Sequence, residues 1–122
     1  MTEKQKMLMG ILYNAEDQAL IEERNHAKSL TRQFNEHWED KGRRNYLIGQ
    51  IFGSLGKNVH LEAPIYLDYG YRTTIGSDFF SNFNLTILDG GGVEIGNHVF
   101  IGPNVGIYTT SHNESPKLRH ET

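Results

Sequence analysis

The feature that most constrains the fold of this chain is a six-residue periodicity that begins at Asn58. After Asp89–Gly92 the register shifts by two residues and the periodicity resumes at Val93. Such spacing fits neither a helix nor an alternating strand, and it predicts a β-solenoid whose coils stack small or branched side chains inward. The inward positions are Leu61, Leu67, Thr73, Phe79, Leu85, Val93, Val99 and Val105, with Ile95, Ile101 and Ile107 in step. Turn-forming residues hold the corners: Asn58, Pro64, Gly70, Gly76, Asn82, Gly96 and Gly102.

The first third of the chain has helical periodicity instead. Thr2 and Gln5 fit a capping box, and apolar residues at Met7, Leu8, Ile11 and Leu12 predict a first helix. A second amphipathic helix is predicted from Leu20, Ala27, Leu30, Phe34 and Trp38, followed by a turn at Glu39–Arg44. A third helix is predicted from Leu47, Ile48, Ile51, Phe52 and Leu55, with Gly56 ending it. We therefore expect a helical subdomain over residues 1–57, β-solenoid coils over 58–111, and the start of an active-site loop over 112–122.

Composition excludes several classes of function. Residues 1–57 hold nine Lys or Arg against eight Asp or Glu, and residues 58–122 hold three against seven. The solenoid half is therefore acidic and offers no basic patch for a nucleic-acid backbone. The chain has no cysteine, so it forms no disulfide and no thiolate metal site. It shows no signal-peptide core and no apolar run long enough to cross a bilayer, so we expect a cytoplasmic protein that does not bind membranes.

The repeat and several local motifs together resemble the maltose/galactoside O-acetyltransferase family of left-handed parallel β-helix enzymes. The stretch MTEKQKMLMGILYN is similar to the start of the family's amino-terminal helical domain. The segments APIYLDYGY, GSDFFSNFNLTILDGG, EIGNHVFIGPNVGIYT and TSH follow one another as the family's early coils do. The resemblance extends over nearly all of the 122 residues.

The resemblance implies a homotrimer in which acetyl-CoA, as cosubstrate, delivers its acetyl group to a hydroxyl of a sugar such as maltose, glucose or a galactoside. By family position, His112 corresponds to the catalytic histidine and Asn82 to an asparagine that contacts the acceptor. Asp68 and the pair Asp89–Gly90 fall where polar residues that contact the acceptor are expected. The family's acetyl-CoA site is built largely by later coils, so we expect the cofactor-binding residues beyond residue 122.

The chemistry of acetyl transfer fits a histidine at position 112. A sugar hydroxyl is a poor nucleophile until a base takes its proton, and the ordinary pKa of imidazole, about 6.5, suits this role. Because the chain has no cysteine, we expect direct transfer in a ternary complex rather than a covalent acetyl-cysteine. Asp89 precedes three glycines, so we expect it in a flexible, exposed loop.

Two departures from the family bear on the acceptor, and two alternatives stay open. Asn14–Ala15 stands where the family often carries aspartate or serine, and Gly90 stands where some members carry aspartate. Both differences leave the identity of the sugar open. One alternative is an inactive β-helix that only folds or assembles, because the later coils are missing. The other is a γ-type carbonic anhydrase, which uses three histidines to hold zinc; the histidines in or after the repeat are His60, His98, His112 and His120. Their spacing matches no ligand pattern, and we expect no metal.

Overall fold

Residues 1–109 are described in a computed structural model, so His112 and His120 lie outside the described residues. Three helices come first: α1 (Glu3–Leu8), α2 (Gln18–Glu36) and α3 (Lys41–Ile51). Nine short strands follow: β1 (Ser54–Leu55), β2 (Val59–Leu61), β3 (Ile65–Leu67), β4 (Thr73–Ile75), β5 (Phe79–Ser81), β6 (Leu85–Leu88), β7 (Val93–Ile95), β8 (Phe100–Ile101) and β9 (Gly106–Tyr108).

The strands form a three-sided parallel β-helix. Each strand pairs in parallel with the strand three positions earlier in the chain. This gives sheet A (β1-β4-β7), sheet B (β2-β5-β8) and sheet C (β3-β6-β9). The predicted fold class, a parallel β-helix preceded by a small helical subdomain, is confirmed. Strand β1 already pairs with β4 through Ser54 and Thr74, so the first strand of the β-helix lies within the range 1–57 that we assigned to the helical subdomain.

The stacked positions lie 20 residues apart: Asn58 bonds to Asp78, and Asn84 to Asn104. Two corners of each coil follow the six-residue step, and the corner from sheet C to sheet A contains two further residues. The two-residue shift that the sequence shows after Asp89 therefore occurs one coil earlier as well, at Asp68–Arg72. The six-residue step from Leu67 to Thr73 hides it, because both ends of that step are buried.

The inward side chains of the three sheets form one core with the helices. Fully or nearly fully buried members include Phe34 from α2, Ile48 and Ile51 from α3, and the repeat residues Leu61, Ile65, Phe79, Leu85 and Ile87. Asn35 of α2 fastens the helix to the edge strand β3: its Oδ1 accepts from the Ile65 N–H at 2.8 Å and its Nδ2 donates to the Ile65 carbonyl at 2.9 Å. This bond pair satisfies backbone groups that an edge strand would otherwise expose.

Several helix boundaries differ from the sequence-based predictions. The Thr2–Gln5 capping box is present, but α1 ends at Leu8, and Ile11 and Leu12 are exposed. The predicted turn at Glu39–Arg44 is wrong, because Asp40 accepts from the Arg43 N–H and so begins α3 at Lys41.

The predicted end of α3 at Gly56 is also wrong. The helix ends at Ile51, and Gly53 donates its N–H to the Thr73 carbonyl at 2.9 Å, which starts the first coil. A side chain at Gly53 would overlap the Tyr71 carbonyl, so glycine is required there by close stacking rather than by the end of a helix. Trp38 lies beyond the end of α2 and is exposed.

Candidate active site

Two predicted site residues, Asp68 and Asp89, lie at the corner between sheets C and A, where the chain carries its two extra residues per coil. The loop of the first coil, Asp68–Arg72, stacks on the loop of the second, Asp89–Gly92. The Asp68 N–H donates to the Ile87 carbonyl at 3.2 Å, and the Val93 N–H donates to the Arg72 carbonyl at 2.9 Å. The structure therefore brings these two carboxylates to one corner of the β-helix.

Asp89 is fully buried, so the expectation of an exposed, flexible loop at this residue is wrong. Its Oδ1 accepts from the Tyr69 N–H at 2.8 Å, and its Oδ2 accepts from the Thr73 hydroxyl at 2.8 Å. Both carboxylate oxygens are thus engaged by groups of the preceding coil. A buried carboxylate is stable only with such partners, and glycines after it let the loop turn back over the core.

Asp68 is half-buried and lies near Asp89. Burial raises the pKa of the Asp68 carboxyl, and the neighbouring Asp89 carboxylate raises it further. The cations Arg24 and Lys28 of α2 oppose both effects. A partly desolvated carboxylate of this kind is suited to accepting hydrogen bonds from hydroxyl groups of a bound ligand.

Asn82 lies at a different corner, between sheets B and C. Its Oδ1 accepts from the Phe83 N–H at 2.8 Å, and its own N–H donates to the Ile101 carbonyl at 2.9 Å. The left-handed backbone position of this corner is held by Asn84, with φ of 63°, and not by Asn82 as the repeat suggested. The half-buried side chain of Asn82 is therefore not required for a left-handed turn.

A single copy of the chain does not bring Asn82 next to Asp68 and Asp89. Strand β6, Leu85–Leu88, separates the two corners. At a rise of about 3.3 Å per residue, four strand residues span about 13 Å. One monosaccharide is too small to contact both corners. The catalytic histidine predicted at position 112 lies outside the described residues.

The chain that leads toward position 112 is anchored on the same corner. Thr109, the last described residue, donates its hydroxyl to the Leu88 carbonyl and accepts from the Gly91 N–H at 2.9 Å. The Thr109 N–H also donates to the Leu88 carbonyl at 3.0 Å. The third coil is therefore fastened to the Asp89–Gly92 loop at the point where the chain leaves β9.

Sequence reasoning missed the contribution of the helical subdomain to this corner. Tyr69 is buried in a small apolar cluster with Met7 and Leu20, and Tyr13 packs against it. Its hydroxyl accepts from the Arg24 guanidinium at 2.8 Å. Tyr69 thus packs on the helices, and the partner of its hydroxyl had no signal in the sequence.

A cavity of about 580 Å³ lies between α2 and the side chains of Tyr69 and Tyr71. It does not include Asp68, Asn82 or Asp89. Its lining combines the apolar residues Ala27, Leu30 and Ile51 with the polar residues Lys4, Glu22, Glu23 and His26. The predicted acceptor residues thus lie outside this cavity.

The geometry within residues 1–109 offers no cluster of three histidine, aspartate or glutamate side chains able to hold a metal ion. His60 contacts Glu62 at 3.0 Å, and His98 contacts Asp78 at 3.3 Å, each on a different part of the surface. Across the same residues, no helix has the length and apolar character needed to span a bilayer.

A helical cap followed by stacked parallel coils is the fold of the hexapeptide-repeat acetyltransferases to which the chain is similar. Residues 6–56 match the maltose acetyltransferase hexapeptide capping motif. The solved structure of a maltose O-acetyltransferase from Clostridium difficile 630 superposes with a TM-score of 0.94 and 44% identity, over 99% of this chain and 65% of that chain. A galactoside acetyltransferase in complex with coenzyme A superposes with a TM-score of 0.91 and 36% identity, over 99% and 61%.

Sequence comparison agrees with the structural one. The galactoside O-acetyltransferase of Escherichia coli K12 is 37% identical over 116 residues, which are 94% of this chain and 57% of the relative. Over nearly its whole length the chain is similar to maltose and galactoside O-acetyltransferases. It spans less than two thirds of the length of these relatives.

Proposed function

We propose that this chain transfers the acetyl group of acetyl-CoA to a hydroxyl of a sugar, with maltose, glucose and galactosides as candidate acceptors. The observation that carries the proposal is the match of almost the whole chain, at a TM-score of 0.91, to a galactoside acetyltransferase complexed with coenzyme A. The match to a maltose O-acetyltransferase supports the same reaction. The departures at Asn14–Ala15 and Gly90 leave the choice among sugars to experiment.

In the proposed reaction, His112 acts as general base. The sugar oxygen attacks the thioester carbonyl carbon, the new C–O bond forms, and the C–S bond breaks with coenzyme A as the leaving group. His112 takes the hydroxyl proton and returns it to the coenzyme A sulfur. In the sequence, position 112 follows three residues after Thr109, which is anchored on the Asp89–Gly92 loop.

We assign Asp68 and Asn82 to contacts with acceptor hydroxyls. Asp68 supplies a half-buried carboxylate, and Asn82 supplies a half-buried amide at the neighbouring corner. Both carboxylate oxygens of Asp89 already accept hydrogen bonds from Tyr69 and Thr73. We therefore assign Asp89 to holding the turn that carries Asp68. The acetyl-CoA contacts are expected beyond residue 122.

The separation of Asn82 from Asp68 supports a site completed by a second copy of the chain, as in a homotrimer. Sheet B presents an outward aromatic ladder, formed by His60, Phe80 and Phe100. Adjacent rings of the ladder lie 5.4 and 5.2 Å apart with interplanar angles of 9°. Phe100 is 70% exposed in a single copy, and burying such a ring on association is favourable by about 1.5–3 kcal/mol.

The other two outward faces suit self-association less well. Sheet A presents the polar residues Ser54, Thr74 and Glu94 at the equivalent positions. Sheet C presents Tyr66, Thr86 and Gly106 at these positions, so it carries no continuous aromatic ladder. We therefore propose that sheet B faces the trimer partners.

The function is tested by measuring coenzyme A release from acetyl-CoA with a panel of maltose, glucose and galactosides. Because the chain contains no cysteine, a thiol-reactive dye reports only the product. We expect release that depends on one of the sugars, together with an acetylated sugar detected by mass spectrometry. No release with any sugar would contradict the proposal for this chain and favour an inactive β-helix.

A further inference from the structure

Tyr69 is hydrogen-bonded to both parts of the molecule: its backbone binds the β-helix, and its hydroxyl binds the helical subdomain. Its backbone N–H donates to the buried Asp89 carboxylate of the next coil at 2.8 Å. Its hydroxyl accepts from Arg24 Nη1 of α2 at 2.8 Å, and the ring centre lies 5.7 Å from the guanidinium carbon. Since Tyr69 is only 5% exposed, the position of its backbone and ring is fixed by packing as well as by these bonds.

The Arg24 guanidinium continues the connection to the segment between α1 and α2. Its Nη2 donates to the Ala15 carbonyl at 2.8 Å, so the same side chain binds Tyr69 and the Asn14–Asp17 turn. That turn has its own internal bonds: the Glu16 N–H donates to Asn14 Oδ1 at 3.0 Å, and the Asp17 N–H donates to the Asn14 carbonyl at 3.2 Å. The turn is thus hydrogen-bonded both within itself and to the guanidinium.

The segment before this turn lies within electrostatic range of Asp68. Burial raises the pKa of Tyr13, the Arg24 guanidinium opposes that rise, and the Asp68 carboxylate adds to it. Tyr13 also packs against the apolar cluster of Met7, Leu20 and Tyr69. The Asn14–Asp17 turn therefore begins next to Tyr69, the residue that follows Asp68 in the loop.

We propose that Tyr69 is a positioning residue which, through Arg24, holds the Asn14–Asp17 turn against the loop that carries Asp68 and so shapes the acceptor site. This inference rests on the proposed sugar-binding role of Asp68. Tyr69 itself does not touch the reacting atoms, because its hydroxyl is occupied by Arg24 and its ring is enclosed. Its effect is on how well the acceptor is held, and acetyl-CoA binding does not depend on it.

The neighbouring Tyr71 provides a matched control. Its hydroxyl donates to Glu23 Oε1 at 2.7 Å, so it also ties the same loop to α2. Tyr71 is 37% exposed, and its helix partner Glu23 pairs with Lys4 rather than with the Asn14–Asp17 turn. Tyr69→Phe and Tyr71→Phe each remove one hydroxyl and keep the ring, so both variants are expected to fold.

The first readout is steady-state kinetics of the full chain with its best sugar. We expect Tyr69→Phe to raise the KM for the sugar about tenfold, the loss typical of one hydrogen bond to a charged group, with the KM for acetyl-CoA unchanged. Tyr71→Phe should leave both KM values near wild type. An equal rise in both variants, or an equal rise for both substrates, would overturn the proposal.

The second readout does not need turnover. Hydrogen exchange at the Glu16 and Asp17 amides should be faster in Tyr69→Phe than in wild type and unchanged in Tyr71→Phe. If the wild-type chain shows no sugar-dependent release, the proposed function fails, but this comparison still decides whether Tyr69 holds the turn. Unchanged exchange in Tyr69→Phe would show that it does not.

Discussion

At the scale of single residues, the chain buries the carboxylate of Asp89 in its core and places the carboxylate of Asp68 near it. Asp89 is fully buried, yet each of its carboxylate oxygens accepts one hydrogen bond, from the Tyr69 N–H and the Thr73 hydroxyl. The six-residue pattern predicts Thr73 to be one more inward residue of the repeat. In the structure this threonine is inward because its hydroxyl meets the carboxylate of the next coil.

Truncating the buried carboxylate should be costly. Asp89→Ala leaves two buried donors without partners, at about 1–3 kcal/mol each, so we expect the free energy of unfolding to fall by about 2–6 kcal/mol. Thr73→Val removes only one donor and should cost about half as much. Urea denaturation followed by circular dichroism measures both values. A loss below about 1 kcal/mol in Asp89→Ala would contradict the assigned role of this carboxylate.

Replacing Asp68 should change the free energy of unfolding in the opposite direction. Burial first, and then the neighbouring Asp89 carboxylate, raise the folded-state pKa of Asp68, so folding disfavours its ionised form. The penalty is absent below the unfolded pKa and complete above the folded pKa. Asp68→Asn should therefore increase the free energy of unfolding at pH 7, and the increase should shrink as pH falls toward the ordinary carboxyl value of 3.8. Denaturation curves at pH 7 and pH 4.5 test this; a gain independent of pH would contradict it.

At the scale of elements, much of the fold could be predicted from the spacing alone. The repeat identified inward residues of all three sheets, since Thr73, Phe79 and Leu85, one from each sheet, are each at most 2% exposed. The ends of the helices could not be predicted from periodicity. Leu55 continues the apolar spacing of α3, but its backbone pairs with β4, because strand pairing outweighs helical propensity at that point.

The candidate site was harder to predict than the fold. Glycines after Asp89 suggested exposure because local composition carries no information about a partner 20 residues away. The Arg24 bond to Tyr69 joins residues 45 positions apart, and neither residue type signals it. The corner of the site could be located from the shift in register, whereas the contacts that shape it depend on how the coils stack.

The stacking of coils makes one glycine position testable. A side chain at Gly76 would meet the Gly96 carbonyl and the Asn97 side chain at 2.5–2.7 Å, so Gly76→Ala forces the coils apart. We expect it to lower the free energy of unfolding by about 1–3 kcal/mol. Gly49→Ala, in α3 with no described atom within 4 Å of the added carbon, should instead stabilise by about 0.5–1 kcal/mol. Thermal denaturation compares the pair, and equal effects would argue against close coil stacking as the cause.

At the scale of the whole molecule, the outward faces of the β-helix differ in chemistry. Sheet B carries the stacked ladder of His60, Phe80 and Phe100, and sheet A carries Glu94 at the corresponding place. The predicted acceptor residues occupy two corners that one copy keeps apart. The trimer proposed above, with the ladder at its interface, would account for both observations.

Association through sheet B predicts a specific effect on oligomeric state. Phe100→Arg adds a charge to the ladder and should convert a trimer to monomers in sedimentation equilibrium, because a desolvated arginine without a partner is unfavourable. Glu94→Arg places the same side chain on sheet A, where it is exposed, and should leave the trimer intact. A monomeric wild type, or equal dissociation of both variants, would contradict this assignment.

The central claim is acetyl transfer to a sugar with His112 as the base, and one comparison tests it most directly. Sugar-dependent coenzyme A release is measured for wild type, His112→Ala and His98→Ala, the last being an exposed histidine paired with Asp78. We expect His112→Ala to lower kcat at least about 100-fold and His98→Ala to leave it close to wild type. Release that persists at the wild-type rate in His112→Ala would contradict the account.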